Sequence, residues 1–258
     1  MTQPTITNKQ IEILKLLYKF RFLNTTHFQN IFKHKDPHRV KAWLKDLRER
    51  KYIKTNYKRG SFIENTKPAT YYLGPNGMRL LQEGKEMEDT LLDKVCQEKR
   101  RGEKFINHCL TLVDIYLFFL SQKKDNEQIK FFTQSTLSSY DYFPDPLPNG
   151  YIAVKTDKGT KRYFLDLFDS YTPPFVLRNK VKVYLSYAQS GNWEANSNDE
   201  KLPMVLFICP SEKMKTHISF YAKALFQKAY EEKVSLFLTT IEKINISNKG
   251  SIWEKVAI

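Results

Sequence analysis

Residues 144–169, PDPLPNGYIAVKTDKGTKRYFLDLFD, decide how the second half of this chain is read. YIAVK (151–155) and KRYFLDLFD (161–169) are short β-rich runs. Asp145 stands before them, and Asp166 and Asp169 stand at their end. Carboxylates therefore flank a strand-like segment, and their neighbours decide what they do.

Working outward, FINHCLTLVDIYLFFL (105–120) reads as a long helix and IKFFTQS (129–135) as another strand. A helix is expected from Pro174 to about Gln189, with Leu177, Val181, Tyr184, Leu185 and Ala188 on one stripe. MVLFIC (204–209) and SLFLTT (235–240) are continuous apolar runs, the pattern of parallel strands covered on both faces. Between them lies a helix capped by Ser211 and running through Ala229. The order predicts an α/β domain over 105–258, with helices flanking a mixed sheet.

Upstream, Thr7 and Gln10 form a capping-box pattern, and Ile11, Leu14, Leu17 and Tyr18 recur at helical spacing. Thr25 or Thr26 can cap a second short helix, TTHFQNIF. Asp36-Pro37 opens a third, with Val40, Trp43, Leu44 and Leu47 on one face. Two β-rich runs follow, KYIKTNYK and PATYYLG, around a polar segment. This predicts a winged helix-turn-helix over residues 1–82. The third helix would present Lys35, His38, Arg39, Lys41 and Lys45 to a groove, and the wing would add Lys58, Arg59 and Lys67. His34 and His38 are four apart, but Asp36-Pro37 breaks the helix between them, against a metal site. Residues 83–104 are highly charged and read as a helical connector.

Charge is uneven. Residues 1–79 hold 17 Lys and Arg against 5 Asp and Glu, a net of +12 out of +14 for the 258-residue chain. A basic segment that keeps an apolar pattern favours a polyanion, because neutralised phosphates release counterions. Double-stranded DNA is therefore the expected partner, with no cofactor required for binding. Cys96, Cys109 and Cys209 lack metal or disulfide spacing, which suits a reducing cytoplasm. No secretory leader is read at the N-terminus, and the longest apolar run, Leu110–Leu120, contains Asp114, so no membrane partner is expected. No coiled-coil heptad demands a dimer, although a homodimer would suit palindromic DNA.

The order of the second domain resembles restriction-endonuclease-like, PD-(D/E)XK folds. That resemblance implies carboxylates holding Mg²⁺, here Asp145 and Asp166, with Lys180 as the catalytic cation. The whole chain resembles the replication-relaxation family of plasmid and mobile-element proteins. The landmarks are LLYKFRFLNTTHFQNIF, LRERKYI, YYLGPNGMRLL, HCLTLVDIYL, PNGYIAV, KRYFLDLFD, RNKVKVYLSY and PMVLFICPSEKMKTHI. The resemblance places the family's histidine on His108 and its helix acid on Asp114. Its Pro-Asp-Gly turn falls on Pro148-Asn149-Gly150, and its Glu-x-Asp strand on Asp166-Leu167-Phe168. Lys180 and Tyr184 match. Asn149 brings no charge and Phe168 no ligand atom, so the nuclease-like centre is expected to be degenerate. Asp145 and Asp169 could substitute if the turn or the strand register differs. Asp114, inside an apolar helix, needs a partner, and Lys180 is a candidate. The resemblance implies a DNA-binding accessory role in replication, mobilisation or transfer, beside a relaxase or replication initiator. The alternatives are a metal-dependent endonuclease or nickase and a protein-docking adaptor.

Overall fold

In the computed structural model, which describes residues 5–56, 67–84, 95, 97–98, 102–197, 201–229, 233–246 and 251–257, the chain divides into units Met1–Leu117 and Phe118–Ile258. The boundary falls inside a helix, not in the 83–104 segment where sequence placed the connector. Most of that segment lies outside the described residues.

Helix α1 (Asn8–Phe20) starts with the expected box: the Gln10 N–H donates to Thr7 Oγ1 at 3.3 Å, and the Thr7 N–H to Gln10 Oε1 at 3.0 Å. Its buried stripe is Ile13, Leu14, Leu17 and Phe20, whereas the predicted Ile11 and Tyr18 are only half-buried. Buried Gln10 explains the rotation. Its side chain donates to Asp46 Oδ2 at 2.6 Å, so a polar anchor takes space that Ile11 was expected to fill.

Strand β1 (Leu23–Asn24) leads into α2 (Thr25–Phe32), which is capped by Asn24 instead of Thr25 or Thr26. Asn24 is the residue with extended backbone, as a cap requires. Its Oδ1 accepts the His27 N–H at 2.8 Å, and its own N–H donates to His27 Nδ1 at 3.3 Å. Helix α3 (Pro37–Glu49) is capped by Asp36 as expected, the His38 N–H donating to Asp36 Oδ1 at 2.8 Å. Val40, Leu44 and Leu47 are buried. Strands β2 (Ile53–Asn56) and β3 (Thr70–Leu73) complete an antiparallel sheet of order β1-β3-β2.

Helix α4 (Pro75–Glu83) follows, and the glycines of its GPNG start have a steric cause. A Cβ on Gly74 would lie 2.4 Å from the Lys51 carbonyl oxygen, and one on Gly77 would lie 2.3 Å from that of Tyr52. The Gly74 N–H donates to Tyr52 O at 2.8 Å, and Asn76 Nδ2 to Arg50 O at 2.9 Å. The helix start is thus zipped onto backbone that cannot retreat. Gly77→Ala is expected to destabilise the first unit by about 1–3 kcal/mol in urea denaturation; an unchanged midpoint would remove this explanation.

Helix α5 (Glu103–Gln122) crosses the unit boundary. Its Ile106 and Cys109 share a core cluster with Phe22, so residues 105–117 belong to the first unit, not to the second domain as predicted. By length and composition α5 could cross a membrane, with a mean hydropathy of 1.3. However, Ile106, Leu112, Val113, Ile115 and Phe118 are buried within the protein.

The second unit is built on β4 (Gln128–Thr133), β5 (Gly150–Thr156), β6 (Gly159–Leu167), β7 (Met204–Cys209), β8 (Leu236–Thr240) and β9 (Glu254–Lys255), hydrogen-bonded in that order. β4, β5 and β6 form an antiparallel meander, β6, β7 and β8 run parallel, and β9 closes the edge antiparallel to β8. The two apolar runs are central parallel strands, as predicted. Short helices α6 (Gln134–Leu137), α8 (Asn192–Asn196) and α10 (Ile241–Ile246) fill connections. α7 (Pro174–Ser190) and α9 (Glu212–Ala229) are the crossovers. They cover one face of the sheet, where Phe164, Phe168, Tyr184, Trp193, Phe207, Ile218 and Phe226 form the main core. Ser211 caps α9 as expected, its Oγ accepting the Met214 N–H at 3.3 Å. Cys109 and Cys209 are buried, and burial pushes the Cys209 thiol up to about 12.

Candidate functional site

Helix α3 divides its residues cleanly. Val40, Leu44 and Leu47 face inward, while His38, Arg39, Lys41 and Lys45, and Lys35 in the loop before the helix, are all exposed. Lys45 makes only a loose 3.9 Å contact with Glu49, both well exposed, so its charge remains available to a ligand. Trp43 is half-buried and meets Phe32 and His34 edge-on, fixing the loop that carries Lys35. Lys67 is exposed; the other expected wing residues, Lys58 and Arg59, lie outside the described residues.

A groove of about 350 Å³ lies between α1 and α2, lined by Lys9, Glu12, Lys15, Leu16, Lys19, Ile31 and Phe32. Lys19 Nζ stands 5.3 Å from the ring centres of both Phe20 and Tyr116. Burial against these rings lowers its pKa from 10.5 to about 8. Because the folded value is the lower one, Lys19 favours folding most above pH 10.5, and that contribution disappears as pH falls through about 8. Lys19 is expected to be acylated faster than the exposed lysines at pH 8, read by peptide mapping, because more of it is free amine; labelling no faster than at exposed lysines would contradict its lowered pKa.

Sequence assigned Asp114 a candidate partner in Lys180. Instead Asp114 Oδ1 lies 2.9 Å from Nε2 of His27, which is 3% exposed. Nδ1 of His27 already accepts the Asn24 N–H, so the proton sits on Nε2 and points at the carboxylate. One imidazole both closes the α2 cap and ties α2 to α5. Sequence reasoning passed over His27, although its position three residues after an asparagine was a usable signal. His108 is half-buried on α5, in the first unit.

In the second unit, β6 places Phe164, Asp166 and Phe168 on the face under α7. α7 turns Lys180 and Tyr184 inward, one turn apart. Asp166 is 2% exposed. Its Oδ2 accepts the Tyr184 hydroxyl at 2.6 Å, its Oδ1 lies 3.4 Å from Lys180 Nζ, and the Asn149 N–H also donates to it. Lys180 donates to the carbonyls of Pro146 and Leu147 at 2.7 and 2.9 Å, which uses its three protons. Burial pushes the Asp166 carboxyl above the ordinary range, while Lys180, Tyr184 and Asn149 pull it back. Burial beside that carboxylate keeps Tyr184 protonated, its pKa well above 10.

Asn149 stands where the family resemblance expects an aspartate, and its Oδ1 accepts the Leu167 N–H at 2.9 Å, extending the ladder at the end of β6. One buried carboxylate faces one ammonium, and a second acid at 149 would upset that balance. Asn149→Asp is expected to destabilise the second unit at neutral pH by about 1–3 kcal/mol, less at acid pH. Equal stability at pH 7 would refute the charge balance.

Phe168 shares the face of Asp166 but packs 4.9 Å from the Phe207 ring. The pairing of β6 with β5 and β7 runs without a bulge, so no slip brings Asp169 inward. Its carboxylate accepts the exposed Tyr171 hydroxyl at 3.1 Å. Asp145 is exposed and borders a shallow cavity of about 350 Å³ with Lys182, Ser186, Ser190 and Asn192. The metal pair inferred from the resemblance, Asp145 and Asp166, is thus split between an exposed and a sealed environment. Among the described residues, no three His, Cys, Asp or Glu side chains gather as a metal site.

These two units define a mixed α/β protein with a small antiparallel sheet ahead of a six-stranded mixed one. The chain belongs to the replication-relaxation family, whose model matches residues 14–201. The PMVLFICPSEKMKTHI segment taken as a landmark falls beyond that match. Among solved structures the chain is similar to restriction endonuclease FokI, at 12% identity and a TM-score of 0.36, covering 96% of this chain and 45% of that one. FokI bound to DNA matches at 14% identity and a TM-score of 0.32, covering 96% and 46%. This chain spans less than half the length of those proteins. No curated protein matches it.

Proposed function

We propose that this protein is a DNA-binding accessory factor of a plasmid or other mobile element, serving replication, mobilisation or their regulation. The first unit is read as a winged helix-turn-helix. Its element order α1-β1-α2-α3-β2-β3 and sheet order β1-β3-β2 support that reading. The observation that carries it is the exposed row His38, Arg39, Lys41 and Lys45 on α3, with Lys35 just before its cap, opposite a buried apolar face. Double-stranded DNA is the partner this row suits, and a relaxase or initiator would act beside it. A DNA partner suits a cytoplasmic setting.

The second unit is read as a PD-(D/E)XK-like core without hydrolytic function. The residues of its centre do not suit Mg²⁺. The Asp166 carboxylate is enclosed by Tyr184, Lys180 and Asn149, and Phe168 supplies carbon where a second ligand would stand. Lys180 fills the electrostatic role a cation would have.

The test is titration of full-length protein with labelled duplex from its own genetic element, in EDTA and in Mg²⁺. Equal binding in both buffers without strand breaks is the expected result. Mg²⁺-dependent cleavage that Asp166→Asn removes would establish the endonuclease reading instead.

A further inference from the structure

Residues 80–258 carry a net charge of only +2, yet the helical layer of the second unit is almost purely basic. α7 contains Arg178, Lys180 and Lys182 and no acid; α9 contains Lys213, Lys215, Lys223 and Lys228 against Glu212 alone. Lys180 and Lys215 are buried and paired, and Glu212 is held by Lys215 at 2.7 Å and Lys243 at 3.1 Å. Lys182, Lys213, Lys223 and Lys228 remain exposed, with Arg178 half-buried.

Two of the most exposed large apolar side chains lie on the same layer, Phe175 at 54% and Phe220 at 71%. Their placement follows from helical spacing. Phe175, Asn179, Lys182 and Ser186 recur at steps of 4, 3 and 4 along the outward side of α7, opposite buried Leu177, Val181 and Tyr184. On α9, Lys213, His217 and Phe220 recur at steps of 4 and 3, opposite buried Ile218, Ala222 and Phe226. Both helices connect parallel strands in the same direction, so they run parallel to one another. Arg178 sets their register, 3.4 Å from His217 Nε2 and with its guanidinium 5.9 Å from the Tyr221 ring centre. Each helix therefore presents one phenylalanine and one lysine two turns apart, in opposite order. The result is a diagonal array of two rings and two ammonium groups.

We infer that this α7–α9 face binds single-stranded nucleic acid, the lysines tracking phosphates while Phe175 and Phe220 stack on unpaired bases. Phenylalanine has no hydrogen-bonding group with which to read a base edge, and duplex bases already have both faces covered. An exposed ring amid cations is used fully only when bases are free to stack on it. A second copy of the same face would bring like charges together, which disfavours self-association. The site is separate from α3 and does not depend on the first unit's reading.

Full-length protein titrated with fluorescein-labelled oligo-dT, followed by anisotropy, tests it. Phe175→Ala with Phe220→Ala should weaken oligo-dT binding by at least about 30-fold, with duplex affinity and melting temperature unchanged. Lys182→Glu with Lys213→Glu should reduce the salt slope for oligo-dT by about 1.4 or more. Lys41→Glu with Lys45→Glu should leave oligo-dT binding intact whatever it does to duplex binding. The inference is overturned if wild-type protein ignores oligo-dT, or if the phenylalanine variant binds it as well as wild type. It is equally overturned if that variant loses duplex and oligo-dT binding in parallel, or if it alters only the oligomeric state in sedimentation.

Discussion

Lys180→Met is expected to lower the stability of the second unit by about 3–5 kcal/mol, the cost of leaving one member of a buried ion pair uncompensated. Asp166 would keep Tyr184 and the Asn149 N–H but lose its counter-charge. The carbonyls of Pro146 and Leu147 would lose their donor. Burial already raises the Asp166 pKa, and removing Lys180 raises it further. A raised folded pKa favours the folded state at low pH and loses that contribution as pH rises through it. The deficit in urea denaturation should therefore be largest at neutral pH and shrink on acidification. Adding Asp166→Asn to Lys180→Met removes both charges and should restore part of the loss. If Lys180 were a catalytic lysine held under strain, its removal would leave stability unchanged or improved.

The second large effect concerns α3. Lys41→Glu with Lys45→Glu reverses two exposed charges while leaving Val40, Leu44 and Leu47 buried, so the fold should persist. Duplex affinity should fall on the order of 100-fold, and the salt slope should flatten by about 2, one phosphate contact for each lysine. A weaker affinity with an unchanged slope would mean that these lysines do not touch phosphates.

Much of the architecture was legible because period and burial agree. MVLFIC is apolar at every position and became a central parallel strand with the predicted limits. Asp36-Pro37 allows one helix start, and the structure uses it. Where several residues could serve, local pattern failed: Asn24, Thr25 and Thr26 are all good caps, and backbone conformation chose Asn24. The two-residue strand β9 has no signal of its own and exists through pairing with β8.

Long-range polar pairing was the least legible. Asp114 and His27 are 87 residues apart, and nothing local announces either as the other's partner. The family resemblance singled out Lys180 and Tyr184, which lie one turn apart on α7. Only the structure shows Asp166 beneath them and Asp145 left in solvent. The aromatic and basic stripes of α7 and α9 were readable as periodicity, but exposure could not be told from burial before the sheet was in place.

The most direct measurement is footprinting of full-length protein on duplex from its own genetic element, in EDTA and then in Mg²⁺. The expected result is the same protected segment in both buffers, lost in the Lys41→Glu and Lys45→Glu protein and retained in Asp166→Asn. Protection that survives the α3 reversals, or new strand breaks that appear with Mg²⁺ and vanish with Asp166→Asn, would contradict the division between a DNA-gripping first unit and a charge-balanced, non-hydrolytic second one.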